Sequence, residues 1–178
     1  LYMARLTRDK GAIVMAEGFA QFNLNGVVAA HLMVVGPDEE ELRPQMRQIC
    51  KQCLGNVHFA DYTSVPEHFM AAADVLCLPS YREGFGSVLI DAAAVGIPAI
   101  ASRIYGSEEA IEENVTGLLH EAGNSKELAQ KMRELAHDPA LRRLLGETAR
   151  VRAHREFSEE TVTAAVLEFY GEALASAN

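Results

Sequence analysis

An α/β fold is what this sequence predicts: a parallel sheet of about six strands flanked by helices, with a helical segment at the C-terminal end. Three observations carry it. Short apolar runs alternate with helical patterns along most of the chain. Those runs are continuously apolar, which implies burial on both faces, as in a parallel sheet covered by helices. After His120 the pattern becomes helix only. A sheet of this kind is Rossmann-like.

The first strand is expected over Tyr2–Leu6, since Leu1-Tyr2-Met3-Ala4 already reads as extended. Further strands fall near His31–Val35, Val57–Ala60, Val75–Leu78, Ala99–Ser102 and Gly117–His120. Helices are expected between them near Ala12–Phe22, Glu39–Cys53, Pro66–Ala72, Gly86–Val95 and Ser107–Glu113. Pro44 leaves the start of the second helix open, because proline suits a first turn better than a helix interior. Ser125 is the expected N-cap of the next helix, with Leu128 in its first turn, and Asp138-Pro139 starts another. Ser158-Glu159-Glu160-Thr161 resembles a capping box opening a last helix through about Ala173. The Arg-rich stretch from Arg142 to Arg155 reads as a solvated helix face, since Glu147 and Glu156 interrupt it.

One domain is the natural expectation for 178 residues, of which 49% are apolar. The net charge of −9 argues against nucleic acid as the main partner, because a phosphate backbone needs basic surface. A small phosphate ligand remains compatible with it, and Arg5, Lys10, Arg82 and Arg103 are the cations best placed by sequence to matter. The chain begins with Leu1 inside an apparent strand, without a signal peptide or an apolar stretch of ~20 residues. It therefore reads as part of a longer soluble protein. Three cysteines fit a reducing compartment without disulfides. Cys50 and Cys53 form one C-x-x-C at the end of an amphipathic helix, without a second ligand pair at zinc spacing, so they read as chance helical neighbours. Cys77 reads as core.

Residues 79–98 are the most informative stretch. The apolar run Asp74-Val75-Leu76-Cys77-Leu78 breaks at Pro79 and enters a loop holding Glu83, Gly84 and Gly86. That loop opens a small-residue helix carrying Asp91, which Gly96 and Pro98 terminate. A strand feeding a glycine-containing loop and a helix N-terminus is a ready anion site, because free N–H groups and the helix dipole point the same way. Carboxylates flanking such a site suit hydroxyls attached to the anion, as in a phosphorylated sugar or a ribose. A nucleotide-sugar pocket is the resulting expectation.

The order Ala4-Arg5-Leu6 with Lys10-Gly11, then Asn56-Val57-x-Phe59, then Ala73-Asp74-Val75 with Pro79-Ser80-x-x-Glu83-Gly84-Phe85-Gly86, resembles the retaining glycosyltransferases of family 4. Ala92-Ala93-x-x-Gly96-x-Pro98, Gly106-x-x-Glu109 and Thr116-Gly117-Leu118-Leu119 continue the match, which reaches Phe157-Ser158 and Tyr170. The resemblance implies that residues 1–178 form the C-terminal, donor-binding half of the GT-B architecture, with an acceptor-binding N-terminal domain absent.

It also implies roles. Glu83 matches the first acid of the family's Glu-x7-Glu signature and would sit against the donor sugar and its hydroxyls. Gly84, Phe85, Gly86 and Ser87 would present backbone N–H groups to sugar and diphosphate. Asp91 stands where the family has a second glutamate gripping ribose hydroxyls, and its side chain is about 1.5 Å shorter. Arg5 and Lys10 match a basic pair contacting the diphosphate, whose growing charge fixed cations stabilise in the transition state. Glu83, Arg5 and Lys10 are thus the candidate catalytic residues. Glu109 matches a family glutamate without an assigned role. Tyr62 reads first as an ordinary buried or surface tyrosine and only second as a stacking partner for a nucleobase, since Ala60-Asp61-Tyr62 departs from the family's usual glycine.

The implied reaction moves a hexosyl group from a UDP- or GDP-sugar to a saccharide or lipid-linked acceptor, with retention and without a metal or other cofactor. The isolated fragment would bind donor weakly and transfer nothing. The full protein would work in the cytoplasm, with peripheral contact at the membrane face. Two alternatives keep their place: a non-hydrolysing sugar-nucleotide epimerase and a non-catalytic module that senses sugar nucleotides. No Asp-x-Asp, H-E-x-x-H or G-x-S-x-G occurs, and the first strand does not lead into G-x-G-x-x-G.

Overall fold

The strands form where the sequence is most continuously apolar. In the computed structural model, which describes residues 1–24 and 30–176, they are β1 (Tyr2–Met3), β2 (Leu32–Val35), β3 (Val57–Ala60), β4 (Leu76–Leu78), β5 (Ala99–Ser102) and β6 (Gly117–His120). The helices are α1 (Ala12–Asn23), α2 (Arg43–Ile49), α3 (Pro66–Ala71), α4 (Ser87–Ala94), α5 (Tyr105–Ala110), α6 (Ser125–His137), α7 (Pro139–Glu156) and α8 (Glu159–Ser176). All residues of β4, β5 and β6 are buried, which accounts for their unbroken apolar character.

All pairings are parallel, in two three-stranded sheets ordered β1-β2-β3 and β4-β5-β6. The sheets meet where β1 runs beside β4: the Leu1 carbonyl accepts from Cys77 N at 2.7 Å, and Leu1 N donates to Val75 O at 2.8 Å. The spatial order is therefore β3-β2-β1-β4-β5-β6, and the direction of winding reverses between β1 and β4. In open sheets of this kind, ligands bind outside the carboxyl ends of the strands at that point.

Two apolar layers hold the helices on. Tyr2, Leu32, Val34, Ile100 and Leu118 pack with Met15, Phe19, Met46, Leu128 and Leu135 of α1, α2 and α6. Val35, Leu76, Leu78, Ala101 and Leu119 pack with Met70, Leu89 and Ala92 of α3 and α4. Each fully buried large side chain contributes about 1.5–3 kcal/mol. Cys50 and Cys77 belong to the same core, and burial pushes their thiols up to about 12 and about 11.

Several boundaries differ from expectation. β1 stops at Met3, because Leu6 N turns to Pro37 O (2.8 Å) as the chain leaves the sheet. Asp38 holds off the start of α2 by accepting from Leu42 N (2.7 Å) and Arg43 N (3.1 Å), so the helix begins beside Pro44 and ends at Ile49 before Cys53. α5 spans Tyr105–Ala110 instead of Ser107–Glu113. Asn124, not Ser125, caps α6: its side chain accepts from Glu127 N at 3.1 Å, while Ser125 Oγ accepts from Gln21 Nε2 of α1. Asp138 caps α7 through Ala140 N and Leu141 N, and Ser158 accepts from Thr161 N ahead of α8. Among the described residues, no helix is long and apolar enough to cross a membrane.

Candidate active site

Two loops converge at the carboxyl ends of β1 and β4, one leading into α1 and the other into α4. The first is anchored from below. Tyr2 is fully buried, and its phenolic hydroxyl lies 3.2 Å from both the Arg5 and Lys10 carbonyl oxygens, donating between them. Burial pushes this phenol well above its ordinary pKa, so it stays protonated as a donor. The loop then meets its neighbour at Gly11, whose φ of 71° is left-handed and where a Cβ would lie 1.9 Å from Pro79 O. Only glycine permits that approach. Tyr81 N donates to Asp9 O at 2.7 Å and closes the seam.

This seam brings Lys10 to Glu83. Lys10 Nζ donates to Glu83 Oε1 at 2.9 Å and lies 3.4 Å from Arg82 O. Ser80 Oγ donates to the same Oε1 at 2.8 Å. The two charged side chains are only 18% and 12% exposed, so their attraction is weakly screened by solvent. Glu83 Oε2 accepts no hydrogen bond from any described residue. Behind the carboxylate, Gly106 of α5 presses against the turn: a Cβ there would lie 2.4 Å from Glu83 O.

Immediately downstream, Gly86 takes a left-handed φ of 65° and starts α4 with no side-chain cap and no acidic residue in the first turn. The opening N–H groups from Ser87 onward therefore carry the positive end of the helix uncompensated. Asp91 lies one turn along from Ser87, on the same helical face. Its side chain makes no hydrogen bond or ion pair with the described residues, and desolvation raises its carboxyl above the ordinary carboxylate value. Phe85 turns outward instead, its ring 5.5 Å from that of Phe157 at the end of α7.

The remaining expected cations lie elsewhere. Arg5 Nη1 pairs with Glu39 Oε2 at 2.8 Å across the β2–α2 loop, with 53% and 44% of the two side chains exposed. Arg103 pairs with Glu113 through both terminal guanidinium nitrogens. Arg82 has no side-chain partner among the described residues. Tyr62 is 79% exposed and stacks on nothing described, and Glu109 is exposed. Thus the fold unites Lys10, Glu83 and the α4 start, and leaves Arg5 in a separate exposed pair. Tyr2 and Gly11 shape the site through contacts between distant segments, which no local motif reveals. Among the described residues no cluster of three or more His, Cys, Asp or Glu could hold a metal ion.

The strand order defines a Rossmann-like α/β protein whose switch point lies between β1 and β4, beside Lys10 and Glu83. The chain belongs to the family of glycosyl transferases group 1, which matches residues 1–152. It is 27% identical over 161 residues to the capsular polysaccharide biosynthesis glycosyltransferase CapM of Staphylococcus aureus, covering 90% of this chain and 42% of CapM. The solved structure of Anabaena Alr3699/HepE in complex with UDP-glucose is 25% identical with a TM-score of 0.86, covering 96% of this chain and 48% of that one. The C-terminal domain of the group 1 family protein LpcC from Francisella tularensis shares the fold, with a TM-score of 0.80 at 22% identity, covering 89% of this chain and 85% of that one. The chain thus spans a little under half the length of CapM and HepE.

Proposed function

We propose that this chain is the donor-binding half of a retaining, family 4 glycosyltransferase that moves a hexosyl group from a UDP- or GDP-sugar to a saccharide or lipid-linked acceptor. One observation carries the reading: Lys10, Glu83 and the uncapped start of α4 converge at the switch point, with Glu83 Oε2 left free. A cation and backbone N–H groups suit a diphosphate, and a free carboxylate oxygen beside them suits a sugar hydroxyl. The UDP-glucose complex of HepE and the match to an isolated C-terminal domain support the same assignment.

In this reading the diphosphate rests on the N–H groups at Gly86–Ser87, against Lys10. Gly84 and Phe85 offer main-chain N–H groups to the sugar, and Asp91 accepts from ribose hydroxyls. Negative charge grows on the diphosphate as the glycosidic bond breaks. Lys10, the α4 dipole and Arg5 stabilise that charge without a metal, once the diphosphate draws Arg5 from Glu39. The acceptor enters through a second domain, and the full protein works in the cytoplasm against the membrane face. Alone, the chain binds donor and transfers nothing. Calorimetric titration with UDP and with GDP at millimolar ligand gives heat with one of them. Silence with both overturns the proposal.

A further inference from the structure

The geometry points to Ser80 as a positioning residue that sets the direction of the Glu83 carboxylate. Ser80 is fully buried, directly after Pro79, and its hydroxyl has one described acceptor, Glu83 Oε1 at 2.8 Å. Lys10 Nζ reaches the same oxygen at 2.9 Å. With both donors on one oxygen, the carboxylate plane is held at one end, and Oε2 is the atom left to accept from a ligand. The two donors are not equivalent. An ammonium is a compact charge with three rotatable donors and tolerates many carboxylate orientations, whereas a hydroxyl fixed by burial is directional.

The difference grows when ligand binds, and here the inference rests on the function proposed above. A diphosphate beside Lys10 competes with Glu83 for its ammonium protons. Ser80, enclosed beneath the turn, is not shared in this way. It then becomes the donor that keeps Glu83 Oε2 aimed at the sugar while Lys10 serves the phosphates.

The test is a ratio of affinities measured on the 178-residue chain. UDP is titrated against UDP-glucose, and GDP against GDP-mannose, for wild type, Ser80→Ala, Glu83→Ala and the double variant. Ser80→Ala lowers the affinity for the nucleotide sugar relative to its own nucleoside diphosphate about tenfold, the scale of a lost hydrogen bond to a charged group. The same substitution changes the ratio no further in the Glu83→Ala background, which has no acceptor for the Ser80 hydroxyl, because its effect passes through that carboxylate. Ser80→Thr, which keeps the hydroxyl, restores the wild-type ratio. Thermal unfolding of each variant separates these effects from lost folding. Equal loss of both ligands, an unchanged ratio, or additive effects in the double variant overturn the assignment of Ser80 while leaving the donor site standing. Absence of binding by wild type overturns both.

Discussion

Two loops at the same edge of the sheet solve one electrostatic problem differently. Between β1 and β4, Lys10 meets Glu83 with little exposure, inside main chain packed too closely to admit a Cβ at Gly11 or Gly106. Between β1 and β2, Arg5 meets Glu39 and Arg8 approaches Glu40 at 3.8 Å, all with substantial exposure. The first pair is fixed by its surroundings, and removing one partner strands the other. The second is held mainly by its own attraction, which water and salt weaken, so it contributes roughly 0–1 kcal/mol. A ligand anion can exchange into the second pair cheaply, while at the first it must share the Lys10 ammonium with Glu83.

Gly11→Ala tests the contrast hardest. Its Cβ forces the loops apart and strains a left-handed residue, so urea unfolding gives a loss of about 3 kcal/mol, and UDP binding disappears. Retained binding would mean the close approach does not build the site. Lys10→Met comes next. Glu83 keeps only Ser80, and stability falls by about 2–3 kcal/mol, low for a buried pair because some exposure remains. UDP affinity drops about 10- to 100-fold, since hydrogen bonds to charged groups are lost. An unchanged denaturant midpoint would show that the pair is as solvated as the one beside it. Glu39→Gln is the smallest and has the opposite sign: freeing Arg5 raises UDP affinity about two- to threefold at low salt, with stability moved by less than about 0.5 kcal/mol. If calorimetry in low and high salt shows no gain, Arg5 takes no part in holding the diphosphate.

Much of this was readable in advance wherever the cause was local. β3, β5 and β6 coincide with their apolar runs, and α3, α7 and α8 begin at their Pro, Asp-Pro and Ser signals. The loop from β4 through Glu83 into α4 follows from residues a few positions apart. What escaped depends on competition or on distance. Asp38 displaced the start of α2 by accepting from Leu42 N, and Asn124 takes the cap of α6 while Ser125, its first residue, accepts from Gln21. The contact of Lys10 with Glu83 spans 73 positions and exists only because β1 neighbours β4. Arg5 and Lys10 look alike as a basic pair, yet nothing in their spacing tells which one a carboxylate on the next loop will claim.

Tyr2 gives this edge of the sheet an unusual dependence. Its ring belongs to the greasy layer beneath α1, yet its oxygen holds the main chain of both Arg5 and Lys10. Interior fit and rim geometry are therefore coupled through one aromatic side chain. A substitution deep under the sheet that shifts that ring would move the main chain of Arg5 and Lys10 without touching any residue at the rim.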